Sequence, residues 1–161
     1  MKKSVKSVVL SILVLIIIIV DFIVLYYNGS EIGNLILENK EEKVVTKIID
    51  GDTVIVEGGE TIRLLGIDCD ERGKECYVEA KNKIEEVLLD KTVVLERDGE
   101  DEDIYNRKLR YIFLNGENIN NKMVADGFCV ARFVGDFSKY RSQIVKSEQE
   151  AINNKIGCKW S

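Results

Sequence analysis

KVVTKIIDGDTVIVEGGETIRLLGI, residues 43–67, contains three short apolar runs separated by two turn signals. Runs rich in valine, isoleucine and threonine and bounded by glycine and aspartate are typical of β-strands. Asp50–Asp52, read as DGD, separates the first run from the second. Gly58–Gly59 fits a two-residue hairpin turn between the second run and the third. The stretch therefore predicts three consecutive strands, the last of which covers residues 61–67.

The sequence after this stretch adds two strands and three helices. Apolar residues spaced at helical intervals predict the first helix, and a glycine marks the end of the second. The predicted helices cover residues 77–89, 119–126 and about 138–154, and the predicted strands cover residues 92–97 and 107–114. Five short strands, of which three come first, predict an α+β fold: a closed five-stranded OB-like β-barrel with three helices packed outside it.

The N-terminal sequence has three lysines followed by a long apolar run. Residues 8–27 carry only one charged residue, Asp21, and are long enough to cross a hydrocarbon core as a hydrophobic N-terminal helix. A cleaved signal peptide is the alternative, although no small-residue cleavage site follows. Because the lysines precede the run, the globular part should face outside. We expect an anchor or signal segment over 1–27, a linker over 28–42 and one domain over 43–161.

Composition limits the chemistry that the chain can perform. The 161 residues include no histidine and carry a formal net charge of −5. The absence of histidine excludes Ser-His-Asp triads, Cys-His pairs and histidine-based zinc sites. The negative charge argues against non-specific coating of nucleic acid, which depends on many lysines and arginines. A nucleic-acid function would need one focused site that includes a cation.

Carboxylates and arginines collect at the ends of the predicted strands. Asp52 lies in the first turn, Arg63 lies on the third strand with Asp68 and Glu71 just past its end, and Arg107 follows an acidic loop. Carboxylates from two segments would form an all-oxygen site for a hard cation such as calcium. Arginines match phosphate oxygens, and a remaining carboxylate could orient or deprotonate water. These groups together are what phosphodiester hydrolysis requires.

Four segments resemble the thermonuclease family, the staphylococcal-nuclease-like domains, in their order and spacing. The resemblance runs from about Lys43 to Ser161 and is carried by IIDGDTV, IRLLGIDCDE, YNRKLRYIF and KSEQEAINNKIGCKW. It implies a domain that hydrolyses DNA and RNA in the presence of calcium and leaves 3′-phosphate ends.

The resemblance implies a metal site and a base. Asp52 and Asp68 would ligate one calcium ion per domain, with the backbone carbonyl of Cys69 as a further ligand. Glu71 would act as the general base or position the attacking water. Family members commonly have Thr-Pro between the metal aspartate and this glutamate, where Cys69 and Asp70 stand here. The loss of proline removes a restraint on φ at Asp70.

The resemblance also implies the substrate contacts. Arg63 and Arg107 would bind the scissile phosphate, and Arg107 would assist the leaving group. Asp103 and Tyr105 would lie near the nucleotide. Some members have tyrosines near the position that Arg132 occupies here, so the match is weaker in that region.

The four cysteines fit an oxidising compartment, because an even number permits two bridges. Four free thiols are the alternative, and the lack of a CxxC motif and of histidine disfavours zinc. We favour the pairing of Cys69 with Cys76 and of Cys129 with Cys158 over the two crossed arrangements. A Cys69–Cys76 bridge would close a short loop and replace the rigidity of the missing proline.

The sequence thus favours a monomeric, calcium-dependent nuclease that acts on DNA and RNA outside the cytoplasm. A single membrane span would hold it with the domain facing outside, or the domain would be secreted after signal cleavage. The alternative is a non-catalytic OB-like module that binds single-stranded nucleic acid or a protein partner at the membrane surface. The acidic balance and few aromatic residues count against that alternative. A vestigial site is a third possibility, which the presence of all five chemical positions disfavours.

Overall fold

The computed structural model describes residues 12, 14–27, 40–135 and 139–161. The chain divides into two units, residues 1–38 and residues 39–161. Residues 14–27 of the first unit are helical. In the part of the chain that the structure describes, no helix is both long enough and apolar enough to cross a membrane. The rest of the predicted anchor and most of the predicted linker, residues 1–11, 13 and 28–39, lie outside the described residues.

A ring of five strands forms a closed barrel in the second unit, as the sequence predicts. The strands of this unit are β1 Lys40–Asp50, β2 Thr53–Val56, β3 Thr61–Leu64, β4 Ile67–Cys69, β5 Thr92–Glu96, β6 Lys108–Leu114, β7 Glu117–Asn118 and β8 Cys129–Ala131. Antiparallel neighbours run in the order β3-β2-β1-β5-β6, and a parallel pairing of β3 with β6 closes the ring. Outside the ring, β7 pairs with β6 and β4 pairs with β8.

The helices of this unit are α1 Tyr77–Leu88, α2 Ile119–Ala125, α3 Arg141–Asn154 and α4 Gly157–Trp160. The predicted apolar face of α1 is confirmed, since Ala80, Ile84 and Leu88 are all buried. The short α4 was not predicted, and α3 begins at Arg141, whereas its predicted start near residue 138 lies outside the described residues.

Two of the predicted strands differ from the structure by more than one residue at an end. β1 begins at Lys40, inside the predicted linker. The predicted strand over residues 61–67 is broken, because Gly66 has a φ of +74° and turns the chain. A Cβ at Gly66 would lie 2.7 Å from Cε1 of Phe133, so glycine also permits this close approach. β4 consequently leaves the barrel and carries its residues to β8.

The hairpin between β2 and β3 is one residue longer than predicted. The Val56 N–H donates to the Glu60 carbonyl at 3.0 Å, which leaves Glu57, Gly58 and Gly59 in the turn. Both glycines have a positive φ, of 86° and 83°. Glycine adopts this conformation without the steric cost that a Cβ would bring.

The buried amide of Asn120 fixes the turn after β3 against β6. Its Oδ1 accepts the Ile112 N–H at 2.9 Å, and its Nδ2 donates to the carbonyls of Leu65 at 2.9 Å and Arg110 at 3.2 Å. Asn120 has no exposed surface, so each bond replaces one that water would otherwise make. The amide therefore positions the chain that leads from β3 into β4.

Two disulfide bridges join Cys69 to Cys129 and Cys76 to Cys158. The favoured pairing of Cys69 with Cys76 and of Cys129 with Cys158 is therefore wrong, and the alternative of four free thiols is wrong as well. Cys69 and Cys129 are opposite partners in the β4–β8 pairing, with Cα atoms 4.3 Å apart. Spacing along the sequence favoured a local bridge, whereas strand pairing determines which cysteines meet.

Candidate active site

The turn between β1 and β2 places Asp52 at the barrel rim. The Asp50 carboxylate accepts the Asp52 N–H at 3.1 Å, so Asp50 shapes this turn. A Cβ at Gly51 would lie 2.8 Å from the Cβ of Cys69 and 2.9 Å from the Cβ of Ala80. Glycine is therefore required for the turn to pack this closely against β4 and α1.

Asp52 is buried with partial compensation of its charge. Its Oδ2 accepts the Cys69 N–H at 2.8 Å, and its Oδ1 accepts the Thr53 hydroxyl at 3.0 Å and lies 3.3 Å from Arg63 Nε. Burial raises the pKa of Asp52 to about 6, and the Arg63 guanidinium opposes that rise. Because burial disfavours the ionised form of Asp52, a second cation near the carboxylate would stabilise that form.

Arg63 joins the two predicted metal aspartates. Its Nη2 donates to Asp68 Oδ1 at 3.0 Å, while Nε faces Asp52. Its Nη1 donates to the carbonyls of Leu64 at 2.6 Å and Ile67 at 2.9 Å. Because these carbonyls belong to the turn between β3 and β4, the turn fixes the orientation of the guanidinium.

Arg132 is a further member of the site that the sequence did not reveal. Its Nη1 donates to Asp68 Oδ2 at 3.1 Å, and its side chain is 62% exposed. The two oxygens of Asp68 thus face two different arginines. Arg132 follows β8 directly, so only the β4–β8 pairing brings it to the site. The sequence contains no local signal for this contact, because β8 itself was not predicted.

Glu71 lies in the exposed segment between β4 and α1. Its carbonyl accepts the Lys74 N–H at 3.0 Å. Among the described residues, none makes a hydrogen bond or ion pair with its carboxylate, which leaves both oxygens available to water. The structure thus places Glu71 beside Asp68 along the chain without a side-chain contact between them.

Arg107 contacts Asp103 and Tyr105, the two residues predicted to lie near the nucleotide. Asp103 accepts the N–H groups of Tyr105 at 2.9 Å and Arg107 at 3.0 Å, and the Arg107 Nε at 2.8 Å. Burial acts to raise the pKa of Asp103, but these donors outweigh it and hold that pKa below its usual value. Arg107 also lies over the Tyr105 ring, 5.4 Å from its centroid.

Thr53 connects this group to the predicted metal ligand Asp52. Arg107 Nη1 lies 3.5 Å from Thr53 Oγ1, and the same hydroxyl donates to Asp52. The structure therefore brings Arg63, Arg107, Asp52 and Asp68 to one rim of the barrel.

The oxygen donors at this rim fit a hard divalent cation. A Cα separation of 4.3 Å between Cys69 and Cys129 is that of a non-hydrogen-bonded antiparallel pair, so the Cys69 N–H and C=O both point away from β8. The N–H reaches Asp52, and the carbonyl is on the same side of the strand. The Cys69 sulfur, held in a disulfide, is not available as a ligand.

Protein side chains do not complete a metal site by themselves. Within the described ranges, no three Cys, Asp or Glu side chains form a group that could hold a metal ion. Two carboxylates and one carbonyl would leave at least half of the six to eight positions around calcium to water or substrate oxygens. Such an open site suits catalysis better than structural binding.

Asp70 does not belong to this oxygen set. Its Oδ1 lies 2.8 Å from Lys159 Nζ, and its Oδ2 accepts the Cys76 N–H at 3.0 Å. The hydrogen bond from Lys159 holds the pKa of Asp70 below its usual value. The extra carboxylate is therefore directed to the C-terminal helix α4.

The fold and the site residues are typical of one class of protein, the hydrolytic nucleases built on a small barrel. Comparisons with known proteins agree with this class. The family described as staphylococcal nuclease homologues matches residues 61–161, and the chain belongs to that family. The thermonuclease of Staphylococcus intermedius is 33% identical to it, over 94% of this chain and 96% of that protein. The thermonuclease of Staphylococcus hyicus is 28% identical, over 94% of both chains. Endonuclease YncB of Bacillus subtilis is 28% identical, over 84% of this chain and 71% of that protein.

Proposed function

We propose that the chain is a calcium-dependent nuclease that hydrolyses DNA and RNA outside the cytoplasm and leaves 3′-phosphate ends. Membership of the nuclease family supports the reaction class. The observation that carries the proposal is the Arg63 guanidinium, which joins Asp52 to Asp68 at 3.3 Å and 3.0 Å. This geometry supports a site in which the guanidinium would bind phosphate beside two carboxylates that would ligate a hard cation.

Each residue at the rim would have a different role in the reaction. Calcium, bound by Asp52, Asp68 and the Cys69 carbonyl, would supply charge neutralisation at the phosphate. Arg63 and Arg107 would donate N–H groups to the phosphate oxygens, where negative charge develops in the transition state.

Glu71 supplies the base. Its free carboxylate accepts a proton from the water that attacks phosphorus. The bond from phosphorus to the 5′-oxygen then breaks, so the phosphate stays on the 3′-oxygen. Arg107, whose guanidinium lies over the Tyr105 ring, would stabilise the departing 5′-oxygen.

The bridged cysteines support an extracytoplasmic location. Disulfides persist in oxidising compartments and are rare in the cytosol. The basic and then apolar N-terminal sequence supports export, either with retention as a membrane anchor or with cleavage as a signal. We propose that the domain acts as a monomer on the outer side.

A digestion assay on the purified full chain tests the function. We expect cleavage of single-stranded DNA, double-stranded DNA and RNA with calcium, and none with chelator. Glu71→Gln should lower kcat about 10²-fold or more, because it removes the base. Glu57→Gln, in the turn at the opposite end of β2, is the matched control and should retain activity.

Two outcomes would contradict the proposal. Cleavage that persists in chelator would remove the calcium requirement, and undiminished activity in Glu71→Gln would remove the base. Tight binding of single strands without cleavage would instead support the non-catalytic OB-like module. Labelling of the product ends with and without phosphatase distinguishes 3′-phosphate from 5′-phosphate products.

A further inference from the structure

Residues 70–76, the segment that carries Glu71, are held by contacts at both ends. The residues that make these contacts have no part in the reaction proposed above. At the start of the segment, Asp70 pairs with Lys159 at 2.8 Å. The other oxygen of Asp70 accepts the N–H of Cys76 at 3.0 Å, which closes the segment over residues 70–76. Both partners of the ion pair are mostly buried, with side chains 19% and 21% exposed.

Helix α4, which carries Lys159, is itself fixed to the rest of the domain. The Lys159 N–H donates to the Gly127 carbonyl at 3.0 Å. A Cβ at Gly127 would lie only 3.0 Å from the Cα of Gly157, so the two backbones touch. The bridge from Cys158 to Cys76 ties the same helix to the end of the Glu71 segment. Lys159 therefore reaches Asp70 from a rigid support.

Glu71 needs such support, because nothing else described in the structure restrains its side chain. Its carboxylate has no hydrogen bond or ion pair with the described residues, and the residue before it is not proline. A base that is displaced by about 1 Å can lose a factor of about 10² in rate. Apart from the hydrogen bond that the Glu71 carbonyl accepts from Lys74 N–H within the segment, the side-chain contacts of Asp70 are the nearest restraint on the backbone of Glu71.

We propose that Lys159 is a positioning residue for the nuclease reaction, which through its ion pair with Asp70 holds the 70–76 segment so that Glu71 faces the attacking water. The inference depends on the proposed function in one respect, which is that Glu71 is the base. The contact itself acts on the backbone of the segment, and neither Asp70 nor Lys159 is among the residues that we assign to the metal or the substrate. An exposed ion pair would contribute little, but this pair is largely buried and is reinforced by a hydrogen bond and a disulfide.

The kinetic test uses variants of the full chain. Lys159→Met should lower kcat about 10- to 100-fold, with KM and the calcium concentration for half-maximal rate changed by less than about twofold. Lys159→Arg keeps the charge and should restore most of the rate. Lys146→Met is the matched control, because Lys146 is 77% exposed on α3 and its ion pair with Glu150 spans 3.8 Å.

A double-mutant cycle tests whether the lysine acts through the aspartate. Asp70→Asn removes the charge and retains an acceptor for the Cys76 N–H. If the two residues act as one unit, the double variant should be no slower than the slower single variant. Additive losses in kcat would show that Lys159 acts by another route and would overturn the proposal.

Hydrogen exchange separates this inference from the proposed function. In Lys159→Met, amides of residues 70–76 should exchange about tenfold faster or more, while those of the barrel strands stay unchanged. This readout needs no activity, so it tests this restraint even if the wild-type chain proves not to cleave nucleic acid. Unchanged exchange in this segment, or an equal loss of activity in Lys146→Met, would overturn the proposal.

Discussion

Each carboxylate oxygen of Asp68 contacts a different arginine. This arrangement affects how strongly the site binds a polyanionic substrate. Arg63 holds Oδ1 from within the turn, whereas Arg132 reaches Oδ2 from the surface. The exposed guanidinium keeps donors that face solvent, and it lies beside the residues that would hold the scissile phosphate. In an acidic domain, such a residue is well placed to bind a neighbouring phosphate.

Replacement of Arg132 tests this placement. Arg132→Ala should raise the KM for DNA about 3- to 10-fold and reduce the slope of log KM against log salt by about one, because one phosphate contact is lost. The kcat should change less. Lys91→Ala, in the exposed turn before β5, is the control and should leave the slope unchanged. Equal effects in the two variants would show that Arg132 contributes only general charge.

At the scale of elements, a buried carboxylate fastens the last long helix to the barrel. Glu96 ends β5 and has no exposed surface. It pairs with Lys40 of β1 at 3.2 Å and with Lys139, and it accepts the Tyr140 hydroxyl at 3.1 Å. Tyr140 directly precedes α3, so one side chain connects two strands and a helix.

The stability that Glu96 supplies should depend on pH. Burial acts to raise its pKa, but Lys139, Lys40 and Tyr140 outweigh burial and hold the pKa below the ordinary value of 4.5. A depressed carboxylate pKa stabilises the fold above the unfolded-state value and ceases to do so as pH falls through the folded-state value. Glu96→Gln should therefore reduce the free energy of unfolding by about 1–3 kcal/mol at pH 7.

Urea unfolding as a function of pH measures this effect. The difference between wild type and Glu96→Gln should shrink as pH falls below about 4.5. Glu86→Gln, a change at a side chain that is 73% exposed, is the control. A difference that stays constant from pH 7 to pH 3 would mean that Glu96 acts by packing and not by charge.

Elements with a strong local pattern were predictable from the sequence, and elements defined by distant contacts were not. The barrel strands and α1 follow from apolar runs and spacing. The break after Leu64 depends on Gly66, whose positive φ is needed because Phe133 packs there. β8 has only three residues and exists through its pairing with β4. Local periodicity contains no signal for either feature.

The candidate site was also predictable only in part. The motifs identified Asp52, Arg63, Asp68 and Arg107, and the structure brings these four together at the rim. Arg132 was missed because its contact with Asp68 requires the unpredicted β8. The cysteine pairing was wrong for the same reason.

For the whole molecule, the two bridges connect the middle of the chain to its last third. They span sequence separations of 60 and 82 residues. Loops of this size give a chain-entropy stabilisation of about 4 kcal/mol each, and measured values are usually about 2–5 kcal/mol. The bridges also hold β4 and the Glu71 segment, so stability and activity depend on the same covalent links.

Reduction should therefore affect both properties. In dithiothreitol, the urea midpoint should fall, and the nuclease rate should fall even at urea concentrations where the chain remains folded. Alkylation of the released thiols keeps the bridges open during the measurement. Retention of full activity by the reduced and alkylated chain would show that strand pairing alone holds the site.

The crossed pairing also affects the order in which the mature protein can form. A chain that enters an oxidising compartment N-terminus first exposes Cys69 and Cys76 before Cys129 or Cys158. These two thiols are the closest in sequence, and short loops close most readily. The first bridge to form would therefore be a non-native one, and the native pair would arise by thiol–disulfide exchange once β8 and α4 have emerged. Acid trapping during oxidative refolding should capture the Cys69–Cys76 species early. Until that exchange occurs, the segment that carries Glu71 would be bridged to itself, so under the export that we propose the nuclease would become active only after the whole domain has crossed the membrane.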